Sequence, residues 1–390
     1  MFTFSTAGES HGQALMALLS GYPAGVPLDA AFVRRELWRR QQGFGRGGRM
    51  RIERDTPEFL SGVRNGASIG SPIAIQIANH DWKNWEETLA VETAAGEKAR
   101  PVASPRPGHA DLAGTIKYNF KEARYVLERA SARETAARVA AGAMAKLLLR
   151  ELGIEVLSHV IAVGAAQVDE TMAVTAEALR ALAAREEIVL HCLDAAAEQR
   201  MKGEVDQALR SGDTVGGVFE VRGYGLPPGL GTCATWNERL DGRIAQAMMS
   251  IQAVKAVELG AGIDVAAAPG SQAQDPIGYD RTAHHFTREG NHAGGIEGGM
   301  SNGEEVVVRG YLKPISTLRR PLASVSFATR EPVKAAYERS DVCVVPAAAV
   351  VGEAMLALVL TQAVLEKCGG DSLAELRRNY NAYGEQVRAF

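Results

Sequence analysis

The run ERASARETAARVAAGAMAKLLLREL, Glu128–Leu152, limits the fold more than any other stretch of the chain. It is rich in Ala, lacks Pro and stops before Gly153, so it reads as one long helix. Its side chains are small enough for other backbones to come close, which places it centrally. A second apolar run, Val342–Leu360, has Asp341 at its edge and Glu353 inside it. It reads as a strand, Val342–Pro346, followed by a buried helix, Ala347–Glu366, and not as a membrane span. A third long helix is expected over Asn237–Leu259, with Asn237 as cap and Gly260 as stop. Shorter helices are expected over Ala30–Arg40, Ala173–Arg185 and Ala195–Ser211.

Strand patterns fall at Ala14–Gly21, Ile73–Ile77, Glu155–Gly164, Gly216–Arg222 and Glu304–Tyr311. The first is the weakest, because its Ala and Leu suit a helix equally. Strands and helices follow no regular βαβ beat, so the expected class is α+β, with helices packed on sheets. No repeat or low-complexity linker divides the chain. Glu92–Pro105 and Ala266–Gln274 read as loops, and residues 1–390 as a single domain.

Charge excludes some partners. With 43 Lys+Arg against 46 Asp+Glu the net charge is −3, which argues against a polycation that coats nucleic acid. The four Cys are scattered and form no CxxC pair, so neither a disulfide framework nor a zinc site is expected, and a reducing compartment fits. MFTFSTAGESHG lacks the basic start and long apolar run of a signal peptide. The chain is therefore expected to be cytoplasmic, with no membrane partner.

The local distribution is different. Between Arg34 and Arg54 lie eight Arg and only two acids, Glu36 and Glu53, around the segment RRQQGFGRGGRM, 39–50. Gly lets a backbone turn tightly, and guanidinium forks fit phosphate and carboxylate. A solvated basic face and an RGG-like segment are the alternatives, although RGG tracts repeat and this one does not.

Two of the eight His stand in Gly-bracketed polar loops: His11 in GESHG, 8–12, and His109 in SPRPGHAD, 104–111, near Arg106. An imidazole titrating near neutrality suits general acid–base work on an anion, and each reads equally as an ordinary turn histidine. In ERASARETA, 128–136, Ser131 suits a cap or a phosphate contact at a helix start. Arg129 and Arg133, four apart, suit one helix face or ion pairs with Glu128 and Glu134. The run NHAGGIEGGMSNGEE, 291–305, allows close backbone approach, but it matches neither a Walker nor a Rossmann fingerprint. His284, His285 and His292 lack metal-ligand spacing, so no metal is expected. Asp341 follows Arg339 where a polar loop meets an apolar run. It suits cofactor orientation or proton acceptance, and equally a salt bridge with an Arg.

Together with SGVRNGASIGSPI, GYGLPPGLGTCATWNERLDGRIAQAMMSIQAVKAVELG and KPIST, these segments resemble the chorismate synthase family from Thr6 to about Leu360. The resemblance implies a β-α-β sandwich with long helices between antiparallel sheets, assembled as a homotetramer. It implies 1,4-anti elimination of phosphate from 5-enolpyruvylshikimate 3-phosphate to give chorismate, the last step of the shikimate pathway. Reduced FMN is required without net redox change, and NADPH would serve only as the flavin's reductant, on the enzyme or through an outside reductase. By motif position, His11, His109 and Asp341 carry the catalytic roles. Arg129, Ala130, Ser131, Gln252, Ala253, Gly298, Lys313, Pro314, Ile315, Ser316, Thr317 and Arg339 carry FMN. Ser10, Arg40, Arg46, Arg49, Arg106 and Arg133 carry substrate, while Arg40 and Arg46 also match family positions for NADP, and both readings stand. Glu122 departs from the pattern, since many relatives have Asp there. A net flavin oxidoreductase and a polyanion binder are the competing functions, distinguished by NADPH oxidation without substrate and by salt-dependent RNA affinity.

Overall fold

The structure is a computed structural model and describes residues 1–47, 53–92, 100–169, 171–282, 284–338 and 340–390. Four strands, β1 (Thr3–Ala7), β2 (Ala14–Ser20), β3 (Pro57–Phe59) and β4 (Ile73–Ala78), pair antiparallel in the order β1-β2-β4-β3. In β4 the residues Ile73, Ile75 and Ile77 are buried and alternate with less buried Ala74 and Gln76. That is the period-two pattern of a sheet with one face on a core. Five more strands, β5 (Glu155–Val163), β6 (Ala166–Gln167), β7 (Gly217–Tyr224), β8 (Val254–Leu259) and β9 (Val306–Leu312), form a second antiparallel sheet ordered β8-β9-β7-β5-β6.

The helices are α1 (Ala30–Gln41), α2 (Asp111–Lys117), α3 (Arg124–Ala130), α4 (Thr135–Arg150), α5 (Ala176–Ala183), α6 (Ala195–Ser211), α7 (Leu240–Met249), α8 (Val345–Cys368) and α9 (Leu373–Ala389). α4 lies on β2 and β4, α8 lies on β5 and β7, and the two helices pack on each other. The layers are therefore sheet, helices, sheet, as expected of a β-α-β sandwich. Small residues make the inner contact possible: a Cβ at Gly142 of α4 would stand 2.3 Å from Ala354 Cβ of α8. α8 is long and apolar enough to cross a membrane, yet 83 % of its most apolar window is buried inside the fold.

Four expectations need correction. The helix expected over Glu128–Leu152 is interrupted: α3 ends at Ala130, Ser131 is extended, Ala132–Glu134 form a 3-10 turn, and α4 starts at Thr135. Ser131 caps that turn by accepting from the Arg133 amide at 3.3 Å, a choice that Ser side chains offer against helix continuation. The helix expected over Asn237–Leu259 is only α7; Val254–Leu259 leave it to pair with β9, because sheet pairing outweighs the helix propensity of Lys, Ala, Glu and Leu there. Val342–Pro346 is not a strand. α8 begins at Val345 with Pro346 in its first turn, where the missing amide hydrogen costs nothing. Short helices Gly262–Ala267 and Gly270–Ala273 also replace part of a stretch expected as loop.

Candidate active site

The turn after β1 is the first wall of the site. Gly8 has φ +101, and a Cβ there would meet Ala14 O at 2.3 Å, so the turn depends on glycine. It carries Ser10, whose Oγ donates to Ser131 Oγ at 3.1 Å. It also carries His11, whose Nδ1 lies 2.9 Å from Glu128 Oε1 and whose ring stacks on Trp85 at 4.0 Å. The break between α3 and α4 thus brings Ser131 against the Ser10 turn. Arg129 closes the same side by donating to the carbonyls of Gly8 and Thr6, each at 3.0 Å.

The Arg-rich segment divides its charges. Arg39, on α1, turns inward to Glu36 and Glu353, each at 2.8 Å. Lys146, Ser158 and His191 complete that buried network. Arg40, the next residue, donates to Asp55 Oδ2 at 2.8 Å and to Thr135 Oγ1 at 3.2 Å. Arg133 reaches Asp55 Oδ1 at 2.5 Å and Asn79 Oδ1 at 3.0 Å. Burial pushes the Asp55 carboxyl up, but the charges of Arg40 and Arg133 outweigh it and hold it below the usual range. Arg40 Nε and Arg133 Nη2 are buried with no hydrogen-bond partner among the described residues. Arg46 pairs with Asp341 at 3.0 Å, and the Gly47 amide donates to the same carboxylate at 2.6 Å.

The second histidine stands at the start of α2. His109 Nδ1 lies 2.5 Å from Asp111 Oδ1, while Arg106 Nε donates to Asp111 Oδ2 at 2.8 Å and Arg106 Nη1 to Thr317 Oγ1 at 2.9 Å. Burial raises the Asp111 carboxyl, yet hydrogen bonds from His109 and Arg106 hold it well below the carboxylate range. Lys313 Nζ and Ser316 Oγ both donate to the Gly108 carbonyl, at 2.8 and 2.9 Å. The Lys313 amide bonds the Ala253 carbonyl at 3.0 Å, and Gln252 Nε2 donates to Glu134 Oε2 at 3.2 Å. Ser340 Oγ donates to the Thr317 carbonyl at 3.1 Å. The two histidine loops, the 313–317 segment and the Asp341 region are thus joined by one chain of contacts.

Comparison with known proteins gives this arrangement a family. A family model described as chorismate synthase matches residues 2–365. The chorismate synthase of Koribacter versatilis is 66 % identical over 394 residues, and that of Solibacter usitatus 63 % identical over 391, each with 100 % of both chains covered. A crystal structure of a chorismate synthase superposes with a TM-score of 0.79 at 40 % identity, covering 100 % of this chain and 99 % of the other. The chain belongs to the chorismate synthase family. It is accordingly an enzyme, a carbon–oxygen lyase at the last step of the shikimate pathway.

Of the chorismate synthase positions expected from motifs, the fold gathers Ser10, His11, Arg40, Arg46, Arg106, His109, Arg129, Ala130, Ser131, Arg133, Gln252, Ala253, the Lys313–Thr317 segment and Asp341. Arg129 and Arg133 do not share a helix face, because the chain bends between them. Gly298 lies in the turn between Ile296–Glu297 and Met300–Ser301. The Gly299 carbonyl next to it accepts from Leu240 at the start of α7, whereas Gln252 follows the end of that helix, about 15 Å away for ten residues. Arg49 and Arg339 lie outside the described residues. Glu122 keeps two bonds, accepting from the amides of Val102 at 2.8 Å and Arg124 at 2.7 Å. The carboxylate partners Asp55 and Glu128, and the aromatic Trp85, were not anticipated as site residues. Asp55 lies in no motif, and Glu128 reads from sequence only as an ion-pair partner for neighbouring Arg.

Proposed function

We propose that the cleft between the Gly8–Gly12 turn, the end of α1 and the Arg106–Asp111 loop binds 5-enolpyruvylshikimate 3-phosphate and eliminates its phosphate in the 1,4-anti sense to give chorismate. The arrangement around Asp55 carries this reading: two buried guanidiniums share one carboxylate, Arg40 Nε has no hydrogen-bond partner among the described residues, and Arg133 Nη2 has only the longer ion pair with Glu53 Oε2 at 3.7 Å. Unspent, desolvated N–H groups favour an anionic ligand. Arg40 is 3 % exposed, which favours substrate over NADP for that residue, and the same is proposed for Arg46, with Arg49, Arg106 and Ser10 as further contacts.

Elimination breaks a C–O bond and a ring C–H bond: negative charge grows on the departing phosphate, and the ring hydrogen is lost in the same turnover. Donors fixed beforehand stabilise that charge without reorganising. Because Asp111 accepts from His109 Nδ1, the proton His109 gives to the leaving phosphate is held at Nε2. Arg106 keeps Asp111 ionised and aimed. His11, gripped by Glu128, holds a proton beside the cofactor, and Asp341, fixed by Arg46 and Gly47, orients it.

The residues present fit reduced FMN as that cofactor. Gln252 Oε1 is a buried acceptor without a hydrogen-bond partner among the described residues, and Arg129 and Lys313 offer cations at the edge. Arg129, Ala130, Ser131, Gln252, Ala253, Lys313–Thr317, Gly298 and Arg339 would hold it. The chemistry reduced FMN supplies when bound is electron density lent during phosphate departure and recovered within the turnover. NADPH enters only as a source of electrons for the flavin.

The same reading takes residues 1–390 as one domain, cytoplasmic and homotetrameric. Exposed apolar side chains such as Ile116, Tyr118 and Tyr125 support assembly. The test is anaerobic: purified chain with reduced FMN is expected to release phosphate from 5-enolpyruvylshikimate 3-phosphate, and no release would overturn the proposal.

A further inference from the structure

One residue, Glu128, holds the Ser10–His11 turn at three points, two of them on His11. The Glu128 carbonyl accepts from the Ser10 amide at 2.9 Å. Its Oε2 accepts from the His11 amide at 2.8 Å, and its Oε1 lies 2.9 Å from His11 Nδ1. Glu128 is 1 % exposed, and Arg124 Nη1 stands 3.4 Å from the same Oε1. Burial pushes its carboxyl up, but the bonds from His11 and the charges around it outweigh burial and hold it below its ordinary value. An ionised carboxylate only accepts, so the ring nitrogen facing it must carry the proton. The ring's face is fixed as well. Trp85 stacks on it with planes 25° apart. Trp85 in turn donates from Nε1 to Asp81 Oδ2 at 3.1 Å and lies under the Arg100 guanidinium at 4.4 Å.

We propose that Glu128, with Trp85 behind the ring, is the positioning residue for His11: its carboxylate locks His11 as the Nδ1–H tautomer, so that proton exchange during the reaction runs through Nε2. Without it the bond that assigns the proton to Nδ1 is lost. The inference rests on the reading of His11 as a proton-holding group and names what makes that group single-valued.

A direct test needs no cofactor. The 15N shifts of the full chain, labelled at its histidine nitrogens and assigned for His11 with His11→Ala, report the tautomer of the neutral ring. Wild type is expected to show Nδ1 protonated. In Glu128→Gln the amide oxygen must serve the His11 backbone N–H, which turns the NH2 toward Nδ1 and inverts the tautomer. A wild-type ring protonated at Nε2, or an unchanged tautomer in Glu128→Gln, overturns the proposal. The wild-type spectrum decides alone if the variant does not fold.

Turnover supplies an independent arm. Glu128→Gln is expected to lower kcat by about tenfold or more with little change in KM, and to cost nothing further in a His11→Ala background, since both remove the same service. If His11→Ala loses turnover while Glu128→Gln keeps it, the positioning role fails. If His11→Ala keeps full turnover, the proton-holding reading beneath it fails instead.

Discussion

Asp55 pairs with two buried guanidiniums, and removing it takes the carboxylate from Arg40 and leaves Arg133 only the longer pair with Glu53 at 3.7 Å. Asp55→Ala is therefore expected to destabilise the chain by about 3–5 kcal/mol in urea unfolding. Added inorganic phosphate should recover more stability in the variant than in wild type, and a variant as stable as wild type would contradict the pairing. His109 carries the other residue-scale expectation. His109→Ala should lower phosphate release by about two to four orders of magnitude, and unchanged turnover would remove its role. Both histidines were legible because a His bracketed by Gly in a polar loop is an uncommon pattern. Their carboxylate partners were not equally so. Asp111 is two residues from His109 and shares its motif, whereas Glu128 is 117 residues from His11, and no spacing connects them before the chain folds.

At the scale of elements, the α4–α8 contact depends on an absent side chain. Gly142→Ala gains about 1 kcal/mol of helix propensity, yet its Cβ would stand 2.5 Å from Ala354 Cα. The clash should outweigh the gain, so thermal unfolding is expected at lower temperature; a higher melting temperature would show that the helices separate easily. The network binding α1, α4 and α8 predicts a pH dependence. Burial lowers His191 from 6.5 to about 3, so the folded chain keeps it neutral while the unfolded chain takes up a proton below 6.5. Stability should therefore be complete above that value and decline as pH falls toward 3, before most carboxylates protonate. Glu353, pushed up by burial but held low by Arg39 and Lys146, adds a further loss in more acid solution. His191→Asn, which tolerates the residue's φ of 60°, should flatten the first part of the urea midpoint's decline. Persistence of that slope would assign it elsewhere. The long inner helices were legible from Ala content and apolar length. The break at Ser131 was not, because no Gly or Pro marks it; it is held by Ser10 and by Arg129 on Thr6 and Gly8, all tertiary contacts.

For the whole molecule, the near-zero net charge and the run of eight Arg invite the picture of a neutral scaffold around a strongly basic cleft. The folded arrangement modifies it. Arg35 is spent on the backbone carbonyls of Ala183 and Arg185, Arg39 belongs to the interior network, and Arg40, Arg46, Arg106 and Arg133 each have a carboxylate. The site therefore offers oriented N–H donors more than raw positive charge, which suits an anion that must be held and then released. Charge counting along a chain cannot distinguish these cases, since pairing is decided by which segments the sandwich brings together. The sandwich itself was legible from the class of elements and the family resemblance, and the pairing was not. Elimination without net redox change in this cleft is tested most directly by the ratio of phosphate released to flavin oxidised, under anaerobic conditions, with a limiting amount of reduced FMN and no other reductant. Many phosphates released per flavin, with the flavin still reduced, is the predicted result. One phosphate per flavin oxidised, or none at all, would contradict it.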